Sequence, residues 1–131
     1  MAEIAKSGTP SLATVQPGYE HQINGLLAGE SIAAGNFVYI RASDGRVMNA
    51  TGAAANEAAR ARGVVLQAAT TGDGVSVLRG VMIRYGATLP PGTPYFLSGT
   101  VAGGLADAAS IGGTAEIAYA VDATRVFVKN V

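Results

Sequence analysis

Two ten-residue stretches of the sequence align with each other without gaps: SIAAGNFVYI at residues 31–40 and TLPPGTPYFL at residues 88–97. Each has a hydroxyl residue, an aliphatic residue, two small or proline residues, a glycine and a polar residue, followed by an apolar run that contains a tyrosine. Short apolar runs bounded by glycine and proline are typical of β-strands. The correspondence extends over approximately residues 31–80 and 88–129, and it predicts two similar β modules.

The sequence around these stretches predicts short strands joined by tight turns. Asp44-Gly45 marks a hairpin, because this dipeptide readily adopts the positive φ that such turns require. Asp73 and Asp122 also lie at predicted turns, where an aspartate carboxylate accepts hydrogen bonds from nearby backbone N–H groups. Strands are predicted at residues 36–41, 47–50, 62–69, 75–85, 116–121 and 125–128, in addition to the apolar run of the second aligned stretch.

Three features modify this pattern. Gly80 lies in the middle of the predicted strand 75–85 and indicates a bulge or a sharp bend of a barrel wall. Pro90-Pro91 and Pro94 cannot donate ladder hydrogen bonds, so they are expected at a sheet edge or in a loop. The alanine-rich residues 52–62 favour a short helix or a loop.

The N-terminal residues 1–22 differ from the rest of the chain. Their few apolar residues, which include Ile4, Leu12 and Val15, follow no regular period. We therefore expect an extended N-terminal arm followed by a β domain over residues 23–131. The predicted fold class is all-β: a small β-barrel or β-sandwich built from the two similar modules.

Composition excludes several classes of function. Nine basic and nine acidic residues among 131 give a formal net charge of zero, which argues against binding nucleic acid or an anionic membrane by bulk electrostatics. No cysteine is present, so disulfides and thiolate metal sites are excluded. Charged residues make up only 14 % of the chain, against about 25 % in a typical soluble domain. We infer that other subunits cover part of the surface.

No constellation of reactive residues stands out. His21 is the only histidine, and the sequence nominates neither a nucleophile nor an orienting acid beside it. No phosphate-binding loop, serine elbow or calcium loop is present. The two lysines, Lys6 and Lys129, do not lie at a hairpin tip, as a lipoyl or biotinyl carrier would require. The sequence therefore predicts no catalytic residue, no metal and no cofactor.

No membrane or export segment is expected either. Glycine, asparagine or arginine interrupts the longest apolar runs well before the ~20 residues that a spanning helix needs. Residues 1–6 lack the basic start and apolar region of a signal peptide.

The first module resembles a known family. The stretch LAGESIAAGNFVYI (27–40), the Asp44-Gly45 hairpin, GVVL (63–66) and TGDGVSV (71–77) look like tailed-phage capsid cement, or head decoration, proteins. The resemblance covers residues 24–85, and it reaches the second half of the chain through the internal repeat.

This resemblance implies a function in the virion. It implies a small β protein that forms a homotrimer on the exterior of the mature icosahedral head, over three-fold and quasi-three-fold positions. There it would clamp neighbouring major capsid protein subunits against the pressure of the packaged DNA, after assembly in the host cytoplasm. The expected partners are thus the major capsid protein and other copies of this chain, with no nucleic acid or membrane.

Candidate contact residues for the capsid or for other subunits combine residues of the 1–22 segment with arginine and tyrosine positions of the predicted strands. They are Ile4, Leu12, Val15, Tyr19, His21, Arg41, Arg84 and Tyr85.

Two other classes of function remain open. One is a tail-fibre, baseplate or receptor-binding β module whose loops, such as residues 98–113, contact host glycan. The other is a small β-barrel enzyme or ligand carrier, for which the sequence offers no polar cluster.

Overall fold

The computed structural model describes Ala5 and residues 21–129, and within them the chain is all-β. A single turn of 3-10 helix, Glu57–Ala59, occupies part of the segment for which a helix or a loop was expected. The strands are β1 (Gln22–Leu27), β2 (Asn36–Ile40), β3 (Val47–Asn49), β4 (Gly63–Val65), β5 (Gly74–Leu78), β6 (Val81–Arg84), β7 (Pro94–Leu97), β8 (Leu105–Ala106), β9 (Glu116–Ala120) and β10 (Arg125–Val128).

The strands form two antiparallel five-stranded sheets with the same internal order. The first sheet has the order β1-β5-β4-β2-β3, and the second has β6-β10-β9-β7-β8. Adding five to each strand number of the first sheet gives the second, which is the arrangement that two similar β modules produce. The sheets are not closed into a barrel, so the architecture is a β-sandwich, and the all-β, two-module prediction is confirmed.

Two apolar clusters form the core, and the first sheet contributes to both. Phe37 and Val64 belong to a cluster that also holds Tyr95, Leu97 and other residues of the second sheet. Their neighbours along the strands, Val38 and Val65, belong to a second cluster confined to residues 28–77. Successive side chains of a strand point to opposite faces, so the first sheet is buried on both faces at β2 and β4.

The chain connecting the two modules corrects one sequence prediction. Residues 75–85 are not one strand: β5 ends at Leu78, β6 begins at Val81, and the two strands belong to different sheets. Gly80 lies between them with φ of +65°. Its N–H donates to the carbonyl of Val128 over 2.8 Å. Gly80 therefore turns the chain from one sheet into the other, where the sequence suggested a bulge or bend within one strand.

Other local predictions are confirmed or corrected in detail. The strand expected at residues 62–69 is only the three-residue β4. Pro90 and Pro91 lie in a loop, as expected, but Pro94 is the first residue of β7, which lies between β9 and β8. The first residue of a strand is a place where proline is tolerated inside a sheet. Apart from Ala5, His21 and Gln22, the predicted arm lies outside the described residues.

All three turn aspartates accept backbone hydrogen bonds, as predicted. Asp44 accepts from the N–H of Arg46 at 3.1 Å, and Asp73 accepts from the N–H of Thr70 at 2.9 Å. Asp122 accepts from the N–H groups of Thr124 and Arg125 at 3.0 and 2.8 Å. These carboxylates therefore hold the turns in shape.

The conformation of Gly80 gives a first testable prediction. An L-residue in the left-handed region costs about 1–2 kcal/mol, so Gly80→Ala should lower the free energy of unfolding by about that amount in a urea titration. Gly74→Ala is the matched control: nothing lies within 4 Å of a Cβ built there, and its effect should stay within about 0.5 kcal/mol. Equal losses in the two variants would contradict the assigned role of Gly80.

Candidate protein-interaction surface

The arm residues among the contact candidates, Ile4, Leu12, Val15 and Tyr19, lie outside the described residues. The remaining four are spread over both sheets. His21 is exposed immediately before β1, and its carbonyl accepts from the N–H of Arg79 at 3.0 Å. No group of three His, Asp or Glu side chains within residues 21–129 is placed to hold a metal ion.

Arg41 follows β2 at the hairpin into β3 and forms an ion pair there. Its Nε donates to Asp44 Oδ1 at 3.0 Å, and its Nη2 contacts the other carboxylate oxygen. The guanidinium of Arg41 and the backbone N–H of Arg46 lower the pKa of Asp44 to about 2. Arg41 thus braces the hairpin, the ordinary structural function of a turn ion pair.

Arg84 and Tyr85 lie together at the end of β6. Arg84 is exposed and is the cross-strand partner of Arg125 on β10. Tyr85 lines a small surface pocket with Leu89 and Leu105, and burial raises the pKa of its phenol. Since Arg41 belongs to the other sheet, the structure does not gather the candidates into one site.

A different group of side chains forms a continuous apolar row. The cross-strand partners Met82 and Phe127, Phe127 and Tyr119, and Tyr119 and Pro94 follow one another across four strands of the second sheet. These four residues, which we name the outer row, alternate along their strands with Ile83, Val126, Ala118, Ala120 and Tyr95, which belong to the core between the sheets. The outer row therefore faces away from the first sheet.

Solvent reaches the outer row in spite of its apolar character. Met82 is 51 % exposed and Pro94 is exposed, whereas Tyr119 and Phe127 are half-buried. The rings of Tyr119 and Phe127 stack with centroids 5.5 Å apart. Where one face of an antiparallel sheet is in solvent, the side chains on that face are normally polar. The apolar outer row departs from this pattern.

Charged pairs flank the outer row on both sides. Asp122 pairs with Arg125 at 2.7 Å, and Glu116 pairs with Lys129 at 3.3 Å. Hydrogen bonds from the backbone N–H of Thr124 and from Arg125 lower the pKa of Asp122 to about 2. An apolar centre containing aromatic and methionine side chains within a charged rim is the usual anatomy of a protein interface.

Two further apolar areas are exposed on other parts of the molecule. The segment 98–113, predicted as a loop, contains the short strand β8. Within it Val101 and Ile111 are 63 % and 81 % exposed. Leu27 and Leu66 are about half exposed and line a groove of about 820 Å³ between β1, β5 and the segment after β4. The described chain thus exposes apolar side chains at three separate places: the second sheet, the segment 98–113 and the groove.

The sequence did not reveal the outer row. Its members lie on four strands spread over residues 82–127, and only the pairing register brings them side by side. A weak signal exists in β6, where the exposed Met82 alternates with the buried Ile83.

Every buried side-chain nitrogen or oxygen within the described residues has a hydrogen-bond partner. Among those same residues, no helix is long and apolar enough to cross a membrane.

The chain matches no protein-family model, and a search of curated proteins found none similar to it.

The low pKa values of Asp44 and Asp122 predict a loss of stability in acid. Both folded-state values, about 2, lie below the ordinary 3.8, so the ionised carboxylates stabilise the fold above about pH 4 and this contribution disappears as the pH falls towards 2. The urea midpoint should therefore decrease over this interval.

A double variant tests the assignment. In Asp44→Asn/Asp122→Asn the decrease between pH 4 and pH 2 should be clearly smaller than in the wild type. Asp107→Asn serves as the control, because Asp107 is an exposed loop carboxylate with no hydrogen bond or ion pair within residues 21–129, and it should retain the wild-type decrease. An unchanged acid response in the double variant would contradict the prediction.

Proposed function

We propose that this chain is a capsid cement protein of a tailed bacteriophage. It binds the exterior of the head as a homotrimer and holds neighbouring major capsid protein subunits together. The resemblance of residues 24–85 to this family supports the proposal, as does the two-module β-sandwich, a fold compatible with a purely structural protein. The proposal assigns no catalytic activity and no cofactor to the chain.

The observation that carries the proposal is the apolar surface that the described chain leaves uncovered. The outer row, Val101 with Ile111, and Leu27 with Leu66 lie on different elements, so more than one neighbour can be contacted at once. A cement protein needs such an arrangement, because it must bridge subunits. A stable protein interface buries about 1,600 Å² in total, and repetition over a shell turns modest contacts into high avidity.

The absence of net charge indicates what drives attachment. With nine acidic and nine basic residues, the chain has no long-range attraction to a charged shell, and burial of apolar surface supplies the main favourable free energy. Salt screens charge pairs but not this burial. Attachment to heads should consequently persist at high ionic strength.

Binding to undecorated heads tests the proposal. Purified protein is mixed with mature heads that lack it, and occupancy is measured by sedimentation and cryo-electron microscopy at about 0.1 and 0.5 M NaCl. We expect saturable binding at both salt concentrations and a higher temperature of head disruption. Failure of the full-length chain to bind would overturn the cement function.

The N-terminal residues are tested in the same assay. We expect them to add to a capsid subunit as an extended strand or tether, so deletion of residues 2–18 should abolish binding and leave the circular dichroism of the β-sandwich unchanged. A chain in which a glycine-serine segment of equal length replaces these residues separates sequence from length. Unchanged occupancy after the deletion would refute the proposed function of the arm.

The exposed apolar residues of the segment 98–113 favour a second candidate, a tail-fibre, baseplate or receptor-binding β module. Val101 and Ile111 are exposed near the ends of this segment, and exposed apolar side chains suit contact with the apolar face of a host glycan. Recovery of the protein with purified tails, and not with heads, would favour this function over the cement function.

A further inference from the structure

A small pocket of about 350 Å³ opens beside the larger apolar cluster of the core. Tyr95 is a buried member of this cluster, and Leu89 and Leu105 pack against it. Tyr85 is more exposed, at 39 %. The residues that line the pocket are Tyr85, Leu89, Tyr95, Leu105, Ala106 and Asp107.

Backbone hydrogen bonds hold this lining in place. The N–H of Tyr85 donates to the carbonyl of Thr124 at 2.8 Å, and the N–H of Leu89 donates to the carbonyl of Ala123 at 3.0 Å. The strand β8 supplies two further lining residues and pairs with β7. The pocket is therefore formed before any ligand enters, as small binding sites usually are.

Asp107 is the one charged side chain among the described residues that line the pocket. It follows β8 directly and is exposed. Within residues 21–129 it has neither a hydrogen-bond partner nor an ion-pair partner.

The other carboxylates of the described chain are all in use. Of nine acidic residues, Glu3 and Glu20 precede residue 21, which leaves seven. Six of these seven accept a hydrogen bond or form an ion pair: Glu30, Asp44, Glu57, Asp73, Glu116 and Asp122. Asp107 is the seventh, and it stands at an apolar pocket.

This combination of groups fits one kind of side chain. A carboxylate pairs with a cation, and the face of a tyrosine ring attracts a cation as well. The planar guanidinium of arginine forks onto a carboxylate and stacks on aromatic rings, and its methylene stem packs against apolar walls. A bare metal ion would leave the apolar walls unused, and a neutral ligand would leave the charge of Asp107 unused.

We propose that the pocket receives an arginine side chain of a major capsid protein subunit. The inference rests on the proposed function for the source of this arginine, and it adds the side chain that one of the contacts contains. Asp107 pairs with the guanidinium, and Tyr85 packs against its face. One exposed pair changes an affinity only a few-fold, so it is compatible with attachment that apolar burial drives.

A small probe tests the ligand class in the free protein. N-acetyl-arginine amide is titrated into the full-length chain labelled with nitrogen-15, and the amide signals of Ala106 and Asp107 are followed. We expect saturable shifts at millimolar probe concentration. The matched probe is N-acetyl-citrulline amide, which has nearly the same shape without the charge, and its dissociation constant should be at least about threefold larger.

Two variants test the assignment of Asp107. Asp107→Asn should weaken binding of the arginine probe at least about threefold and abolish its preference over citrulline, whereas Asp107→Glu should retain the preference. Raising NaCl from about 0.05 to 0.5 M should weaken binding to the wild type more than binding to Asp107→Asn, because salt screens the pair. Circular dichroism confirms that both variants are folded.

Undecorated heads test the source of the arginine. Asp107→Asn should require at least about threefold more protein than the wild type for half occupancy, and Asp107→Glu should lie closer to the wild type. Failure of the wild type to bind heads would overturn the cement function and, with it, the capsid source.

Three results would overturn the inference and leave the cement function intact. Equal affinity for the arginine and citrulline probes would show that the pocket does not select a cation. Saturable binding of methyl α-glucoside in place of the arginine amide would assign the pocket to a sugar. Occupancy of heads by Asp107→Asn at wild-type concentrations would show that no capsid arginine pairs with this carboxylate.

Discussion

The structure depends on the burial of both faces of the first sheet at β2 and β4. Alternation places Phe37 and Val64 towards the second sheet and Val38 and Val65 towards the opposite side. A strand buried on both faces needs apolar residues at successive positions, and both pairs meet this need. The first sheet is consequently the middle layer of the molecule, with the second sheet on one side and the chain around Ala28 and Ile32 on the other.

This arrangement makes two modules of the same topology unequal. The second sheet is a terminal layer, because only one of its faces meets the first sheet. Ile83, Val126 and Tyr95 fill that face, and the outer row lies on the other. When two modules pack in this way, one apolar face of the last module stays uncovered. That face is available to a further molecule.

Five of the charged residues serve turns. Asp44, Asp73 and Asp122 are used for backbone hydrogen bonds, and Arg41 and Arg125 pair with two of these aspartates. Surface ion pairs of this kind contribute little to stability, so the core between the sheets must supply most of it. Charged residues make up only 14 % of the chain, and apolar side chains remain exposed on strands and loops. The proposed attachment to a capsid uses this property.

Local sequence patterns are sufficient to predict the all-β class, the two similar modules and the hairpin at Asp44-Gly45. These features depend on turn chemistry and on alternation over a few residues, which act locally. The sequence also identified the turn aspartates correctly, because their hydrogen bonds reach only two or three residues along the chain. By contrast, the contact candidates Arg41 and Arg84 were chosen by residue type, which says nothing of which sheet each one occupies.

Three features depend on long-range contacts: the change of sheet at Gly80, the open sandwich, and the adjacency of Met82, Phe127, Tyr119 and Pro94. The pairing of β6 with β10 and of β7 with β9 joins residues far apart in the sequence, and no local pattern fixes such a register. Which face of each sheet is covered follows from the packing of one module on the other. That packing depends on the apolar surface buried over the whole molecule, so local sequence patterns do not predict it.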